Sequence, residues 1–463
     1  MNDDIEILDI FEKKEEKPVV KTVIQNNKEI KKDKPKKKKR KVKGKAWQIL
    51  FCSVSALFIL GCIIYYGSRF IKYYRIYNPK VDSSSGETLL SNGISGNSEI
   101  VYEGKGLYIA SGNYLYKGDV DNNYVKYNNM LWRIVKINKD NTIDIILDDY
   151  INILPWNSEV TSFSKSEIYK YLNNEFLNNL DTKMLVKTSF CDESLEDLGK
   201  TNCDVQNNDN YVRLLDVASF LNSVKDKKSY LANSDEIFWL GDFNTEKVWH
   251  TNGTNVSQSK ANTFYEVKPV VKLKNTVTYK EGDGTVDKPY IVDDSKELKL
   301  GSEVLLGEDK WIVYDMSDNV RLMKKEVLSD SHIYDKNSFK YDVDSEESLA
   351  KYLNTTYLDS LSYKNLIVNA TWYTGAYTDN ISDIKKDKVT AKVGIPNLLD
   401  VKFDSKVNEY YLLTSNGETL YVYENPLRPS RITSTRKVRP CIAISKDDAN
   451  KLKYSDGIFK MEG

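Results

Sequence analysis

The feature that most constrains this 463-residue chain is a run of 23 uncharged residues, Ala46 to Ser68 (AWQILFCSVSALFILGCIIYYGS). As a helix rising ~1.5 Å per residue it would be roughly 34 Å long, against a bilayer hydrocarbon core of ~30 Å. A core helix rarely stays uncharged for six turns, so the run predicts a transmembrane helix. Lys31 to Lys45, just before it, holds eleven Lys/Arg, whereas Arg69 to Lys80 holds four. By the positive-inside tendency, residues 1–45 lie in the cytoplasm and the long C-terminal part lies outside the cell. Trp47 at one end and Tyr65, Tyr66, Tyr73 and Tyr74 at the other suit the two interfaces. No small-x-small cleavage site follows, so the reading is an uncleaved signal-anchor in the cell membrane. PKKKKRKV (Pro35 to Val42) resembles a nuclear-import signal, but topology already accounts for basic residues beside a membrane span. Lys31 to Lys45 should also attract anionic inner-leaflet lipids, at about 1 kcal/mol per basic residue.

The formal net charge of zero hides a division. Residues 1–80 carry 20 Lys/Arg and 9 Asp/Glu, a balance of +11, which leaves −11 on residues 81–463. An acidic external part argues against a nucleic-acid partner. Of five cysteines, Cys52 and Cys62 fall in the apolar run and Cys441 in an apolar, strand-like stretch. Cys191 and Cys203 stand twelve residues apart in a loop-like segment outside the membrane, where an oxidising environment permits a disulfide; two unrelated thiols are the alternative.

Residues 1–30 are polar, with a small apolar cluster (Ile5, Ile7, Leu8, Ile10, Phe11). They read as a weakly structured tail, or alternatively as a docking motif for a cytoplasmic partner. Residues 69–99, Ser/Gly/Asn-rich from Val81 onward, read as a flexible stalk. The remainder holds a diverged repeat. Lys170-Tyr171-Leu172-Asn173, followed by Phe176, Leu177 and Leu180, reappears as Lys351-Tyr352-Leu353-Asn354 with Tyr357, Leu358 and Leu361, at an offset of 181. Upstream, Leu131 to Leu147 matches Lys310 to Met323, with Trp132 opposite Trp311. Downstream, Val267-Lys268-Pro269-Val270-Val271 matches Val438-Arg439-Pro440-Cys441-Ile442. Three landmarks in one order define two modules, 100–294 and 295–463.

The Trp segments alternate apolar and polar residues around a turn, which predicts a β-hairpin with one buried face. Leu172, Phe176 and Leu180 form an apolar helical stripe, and Asn173 and Asn354 within the helices are expected to cap neighbouring loops. The Val-x-Pro-x-Val/Ile segments read as short strands with Pro at an edge or start. Glu236 to Phe243 and Glu409 to Asn416 are further strand candidates, and Gly282-Asp283-Gly284-Thr285 makes a turn before the second module. The fold class is therefore α+β: two tandem mixed α/β modules after a single transmembrane helix.

These landmarks (NNYVKYNNMLWRIVKIN, YLNNEFL, the Trp239-Leu240 strand, VKPVVKL, GDGTVDKPY) resemble a bacterial domain family of unknown function, common in surface proteins of low-GC Gram-positives. The resemblance covers residues 100–294 well and 295–450 more weakly: the second copy lacks the leading aromatic-Val run, and Leu412 stands for Trp239. It implies a C-type-lectin-like fold, in which the first and last strands pair. The calcium motif of that fold is absent, so the resemblance implies no metal and no cofactor.

Chemistry is sparse. His250 and His332, the two histidines, have no partner spacing suited to zinc or a catalytic triad. The acids at Asp342, Asp344, Glu346 and Glu347 lack the central Gly of a calcium loop. Trp249, Trp372, Tyr373 and Tyr377 fall in segments without clear period and are the candidate ligand-binding aromatics. The expectation is a non-enzymatic, single-pass surface protein whose modules bind a glycan or protein ligand. The alternative is a component of a membrane-bound envelope-biogenesis or secretion assembly, docked through its cytoplasmic tail.

Overall fold

Both Trp landmarks fold as antiparallel hairpins, because alternating apolar strands are joined by short polar turns. In the first, Asn141 takes a left-handed φ of 62° and donates its N–H to the Asn138 carbonyl. The computed structural model describes residues 59–61, 64–66, 88–198, 203–232, 236–292, 296–378, 380–403, 407, 409–424 and 427–461. The chain forms two compact units, Met1–Arg75 and Ile76–Gly463. In the first unit the six described residues are helical, and Ile59, Leu60, Ile64, Tyr65 and Tyr66 are exposed. Among the described residues no helix is long and apolar enough to cross a membrane. The rest of Ala46 to Ser68, and Lys31 to Lys45, lie outside the described residues.

The second unit is strand-rich α+β, and its repeat is visible in the order of its strands. The first copy contains β1 (Tyr124–Tyr127), β2 (Met130–Ile137), β3 (Ile143–Leu147), β4 (Val212–Arg213), β5 (Trp239–Phe243), β6 (Val248–Asn252), β7 (Asn255–Ser259), β8 (Val270–Leu273) and β9 (Tyr290–Ile291). The second contains β10 (Glu303–Leu306), β11 (Asp309–Asp315), β12 (Val320–Lys324), β13 (Val393–Gly394), β14 (Tyr410–Ser415), β15 (Leu420–Tyr423), β16 (Arg428–Ser430), β17 (Cys441–Ile444) and β18 (Ile458–Met461). Within the nine-stranded first main sheet the order β4-β8-β3-β2-β1-β9 is matched in the seven-stranded second by β13-β17-β12-β11-β10-β18. In each, every neighbouring pair is antiparallel except the last, where the closing strand lies parallel to the opening one. A small three-stranded sheet accompanies each copy, β5-β6-β7 and β14-β15-β16. The second copy thus keeps the leading strand; only its aromatic-Val sequence is lost, with Val304 and Leu306 buried at β10.

The shared residues hold matching bonds. Asn173 Nδ2 donates to the Tyr169 carbonyl (3.2 Å) and to the Val212 carbonyl on β4 (3.1 Å). Asn354 Nδ2 donates to the Ala350 carbonyl (3.0 Å) and to the Val393 carbonyl on β13 (2.9 Å). Each Asn therefore ties its helix to a sheet strand, which is why a modest helix former sits mid-helix. Both helices relax to π geometry at this point, Tyr171–Phe176 and Leu353–Tyr357. The cation of Val-Lys/Arg-Pro is also matched. Lys268 Nζ donates to the Asp148 carbonyl (3.0 Å) and lies 5.1 Å from the Phe238 ring. Arg439 Nη2 donates to the Lys325 carbonyl (3.3 Å), and its guanidinium lies 5.6 Å from the Tyr410 ring. Each clamps the end of a hairpin onto the small sheet. Both prolines directly precede their strands, and each carbonyl accepts a backbone N–H from the neighbouring hairpin.

Four expectations are revised. The hairpin strand β3, interior to its sheet, is buried along its whole length and so on both faces, not one. Residues 88–97 are not stalk: Thr88–Leu89 pairs with Thr278–Tyr279, and Leu90 and Ile94 of the helix Leu90–Asn97 are fully buried. An apolar run inside a polar segment is enough to dock it. The counterpart of Trp239 is Tyr411 rather than Leu412, since Gly241 N donates to the Leu215 carbonyl as Leu413 N does to the Pro396 carbonyl. Finally, the Gly282 to Thr285 run does more than end a module. The carbonyl of Gly284 (φ 86°) accepts the Tyr124 N–H, and a Cβ there would stand 2.3 Å from the Asn122 carbonyl oxygen. Only glycine allows the approach that seats β9 against β1.

The halves share an inner wall. Along β14 and β15, Tyr410, Leu412, Tyr421 and Tyr423 pack into the core of the first half. Tyr411, Leu413, Leu420 and Val422 pack into that of the second. Asn152 Nδ2 donates to the Leu398 carbonyl (2.6 Å), and Lys402 N donates to the Ile151 carbonyl (2.8 Å). The Asn354 side chain also accepts from Lys392 N and Val393 N, bonds not matched at Asn173. Asn354→Ala should therefore destabilise the chain by about 2–3 kcal/mol and Asn173→Ala by about 1–2 kcal/mol, read by denaturant unfolding.

Candidate functional site

Indole N–H groups need an acceptor when buried, and the packing supplies one for each candidate tryptophan. Trp249 is 8 % exposed on β6 and donates to the Leu195 carbonyl (3.2 Å). Trp372, 2 % exposed on the strand Ala370–Tyr373, donates to the Ala391 carbonyl (2.9 Å). Its ring covers Gly394, where a Cβ would meet it at 2.4 Å. Tyr377 is buried, with its ring 5.6 Å from Phe264 of the other half. The exposure expected of these three ligand-binding candidates is not met: they are core or junction residues, Trp249 and Tyr377 on or beside strands covered on both faces and Trp372 on the covered face of its strand. Only Tyr373 is half-exposed, with the Lys385 ammonium 5.8 Å from its ring. Among the described residues no ring contact joins Trp249 to the other three.

Cys191, at the end of the strand Thr188–Cys191, is joined to Cys203 in a disulfide with Cα atoms 5.8 Å apart. Glu193 lies close to both sulfurs, but bonded sulfurs are not thiolate ligands, so this group does not suit a metal. Asp342, Asp344, Glu346 and Glu347 lie exposed in a turn, with Glu346 and Glu347 paired to Lys351 and Lys336. Among the described residues these acids form no metal-holding group.

The histidines are separate. His332 stacks on Tyr352 with ring centroids 4.3 Å apart. His250, buried on β6, sits in a short relay whose polarity is fixed by its acceptor. The Thr251 carbonyl can only accept, so His250 Nδ1 donates to it (2.7 Å) and Nε2 accepts from Ser259 Oγ (2.9 Å). Tyr265 then donates its hydroxyl proton to Ser259 (3.0 Å). Burial holds the imidazole pKa down, so the ring is neutral at physiological pH. Every polar atom of the ring is satisfied within the sheet, as in a structural histidine.

A buried acid near the junction is strongly perturbed. Glu266, 2 % exposed, has its pKa raised from the ordinary 4.5 to about 8 by burial; nearby Lys268 opposes this, and Glu236 and Asp149 add to it. Its folded-state pKa exceeds the unfolded one, so the native state holds the proton longer. Stability from this group is complete below about 4.5 and is lost as pH rises towards 8. Glu266→Gln should leave stability near pH 4 unchanged and raise it by about 2–4 kcal/mol at pH 9, with the difference opening between those limits in urea melts.

An open concavity lies elsewhere, a cleft of about 440 Å³ lined by Asp119, Lys227, Lys228, Ser229, Ala232, Asn252, Gly253, Thr254 and Asn255. Two tight turns frame it. One joins β6 to β7 with Gly253 at φ 60°, and in the other Asp226 and Lys227 take φ 53° and 58° beside the Lys225–Lys228 bridge. No aromatic side chain lines it. Sequence reasoning passed over these residues because Asn-Gly and Asp-Lys turns signal only a change of direction; nothing local says that two of them face one another. No protein-family, curated-protein or solved-structure comparison gives a match for this chain.

Proposed function

We propose that this chain is a single-pass membrane protein that presents a non-catalytic binding unit, built from two lectin-like repeats, outside the cell. The span is Ala46 to Ser68, with Lys31 to Lys45 against anionic lipids of the inner leaflet. The observation that carries the binding role is the polar cleft between the two turns, whose hydroxyl, amide and charged groups suit a glycan better than an apolar ligand. The pairing of opening and closing strands in both copies supports the lectin-like relationship. The Cys191–Cys203 disulfide supports an oxidising, extracytoplasmic location.

Protease added to intact cells should remove the C-terminal bulk and spare the tail. A membrane-impermeant maleimide should label Cys191 and Cys203 only after reductant. Protection of the bulk would sink the topology, and labelling without reductant would sink the disulfide. Cys191→Ser should lower stability by about 2–3 kcal/mol, because a closed loop of this length restricts the unfolded chain; thermal unfolding of the full chain reads it. Capture of envelope or host glycans on an array by the full chain tests the binding role, and an empty array counts against it.

A further inference from the structure

We infer that the cleft takes an anionic polyol, a sugar or polyalcohol bearing phosphate or carboxylate. This rests on the binding role proposed above and names its ligand class. Residues 81–463 carry a balance of −11, yet cations gather here. Lys227 and Lys228 line the cleft and are exposed. Lys225 pairs with Lys228 across the turn. Gly118, next to the lining residue Asp119, is where Lys105 and Lys225 converge: a Cβ there would lie 2.9 Å from Lys105 Cβ and 3.5 Å from Lys225 Cβ. Lys117 lies near Lys225, and burial together with that neighbouring charge pulls its pKa down. None of the five lysines is in a salt bridge among the described residues.

The five lysines outnumber the carboxylates of the lining and the turn, Asp119 and Asp226, and that excess of like charge raises the energy of the empty site, which a bound anion relieves. The turn backbone adds a second cost. Asp226 and Lys227 hold left-handed conformations that non-glycine residues adopt reluctantly, and the turn directs consecutive lysines to one rim. Opposite them, Asn252, Thr254 and Asn255 offer amide and hydroxyl groups of both polarities, and Ser229 adds a hydroxyl. Asp119 is the one carboxylate in the lining; it repels an anion and accepts from hydroxyls, which favours a ligand with both kinds of group over inorganic phosphate. A neutral sugar would find no aromatic face to stack on.

The test uses the full chain in phosphatidylcholine nanodiscs, with poly(glycerol phosphate), polygalacturonate and neutral dextran as probes. The proposal expects at least one of the two polyanions to bind, more weakly as salt rises past about 0.15 M. Lys227→Glu with Lys228→Glu should weaken it roughly tenfold or more, and the Gln pair should weaken it less. Both lysines are exposed, so thermal unfolding should be unchanged. The basic tail is the same in every variant and cancels from the comparison. Polyanion binding untouched by charge reversal overturns the proposal. Dextran binding as tight as polyanion binding, and equally insensitive, overturns the anionic ligand while leaving the glycan-binding role standing. No binding to any probe overturns the proposal, and an empty glycan array alongside it removes the broader role as well.

Discussion

The hairpin of β14 and β15 is apolar on both of its faces, and the arrangement of the second unit depends on that. An ordinary sheet at the edge of a small domain keeps one face for water. Here Tyr410, Leu412, Tyr421 and Tyr423 point one way and Tyr411, Leu413, Leu420 and Val422 the other, each set into a different core. At roughly 1.5–3 kcal/mol for each fully buried large side chain, either face alone would be a serious exposure in a separated half. The two copies therefore form one body, and the polar groups trapped at the junction are bonded rather than solvated. Lys402, 2 % exposed, donates from Nζ to the carbonyls of Asn397, Leu398 and Asp400, and these three acceptors match its three N–H groups.

The residues that recur in both copies carry this construction. The YLN asparagine crosses from helix to strand, the Val-Lys/Arg-Pro cation clamps hairpin to small sheet, and the tryptophans at 132 and 311 are fully buried. Each is polar or amphipathic with a buried bonding role. That explains why two copies that have otherwise diverged keep them: removing one partner of a buried hydrogen bond costs more than altering an apolar contact by one carbon. Agreement between the copies is thus a record of folding requirements, and the motifs that look most like a signature of function are scaffold.

Much of that scaffold was legible in the sequence, since it rests on local pattern. The strands at Trp239–Phe243 and Tyr410–Ser415, the hairpins, the helices and the strands after each proline all declare themselves by period and punctuation. The burial of both faces was not legible, because a continuous apolar run and an alternating one differ only in what covers the second face. Trp249 and Trp372 were misplaced for the same reason: a tryptophan between polar neighbours reads as exposed until a carbonyl such as Leu195 or Ala391 is brought to its indole. The docking of residues 88–97 depended on the Tyr279 ring that packs over Gly93, nearly two hundred residues away in sequence.

The cleft follows the opposite rule from the scaffold. Its residues are Asp119 and members of the Lys225 to Ala232 segment and the β6–β7 turn, which the three shared landmarks do not include. Two left-handed residues in a row and several lysines held in no salt bridge among the described residues are poor choices for stability alone, since a glycine turn and paired charges would serve the fold better. Local choices that run against stability are expected where something other than folding is being satisfied. Within the first copy the His250 and indole groups are bonded inside the fold, whereas the lysines at the cleft rim form no salt bridge among the described residues; the proposed recognition therefore falls on the surface turns, with the signature motifs holding them in position.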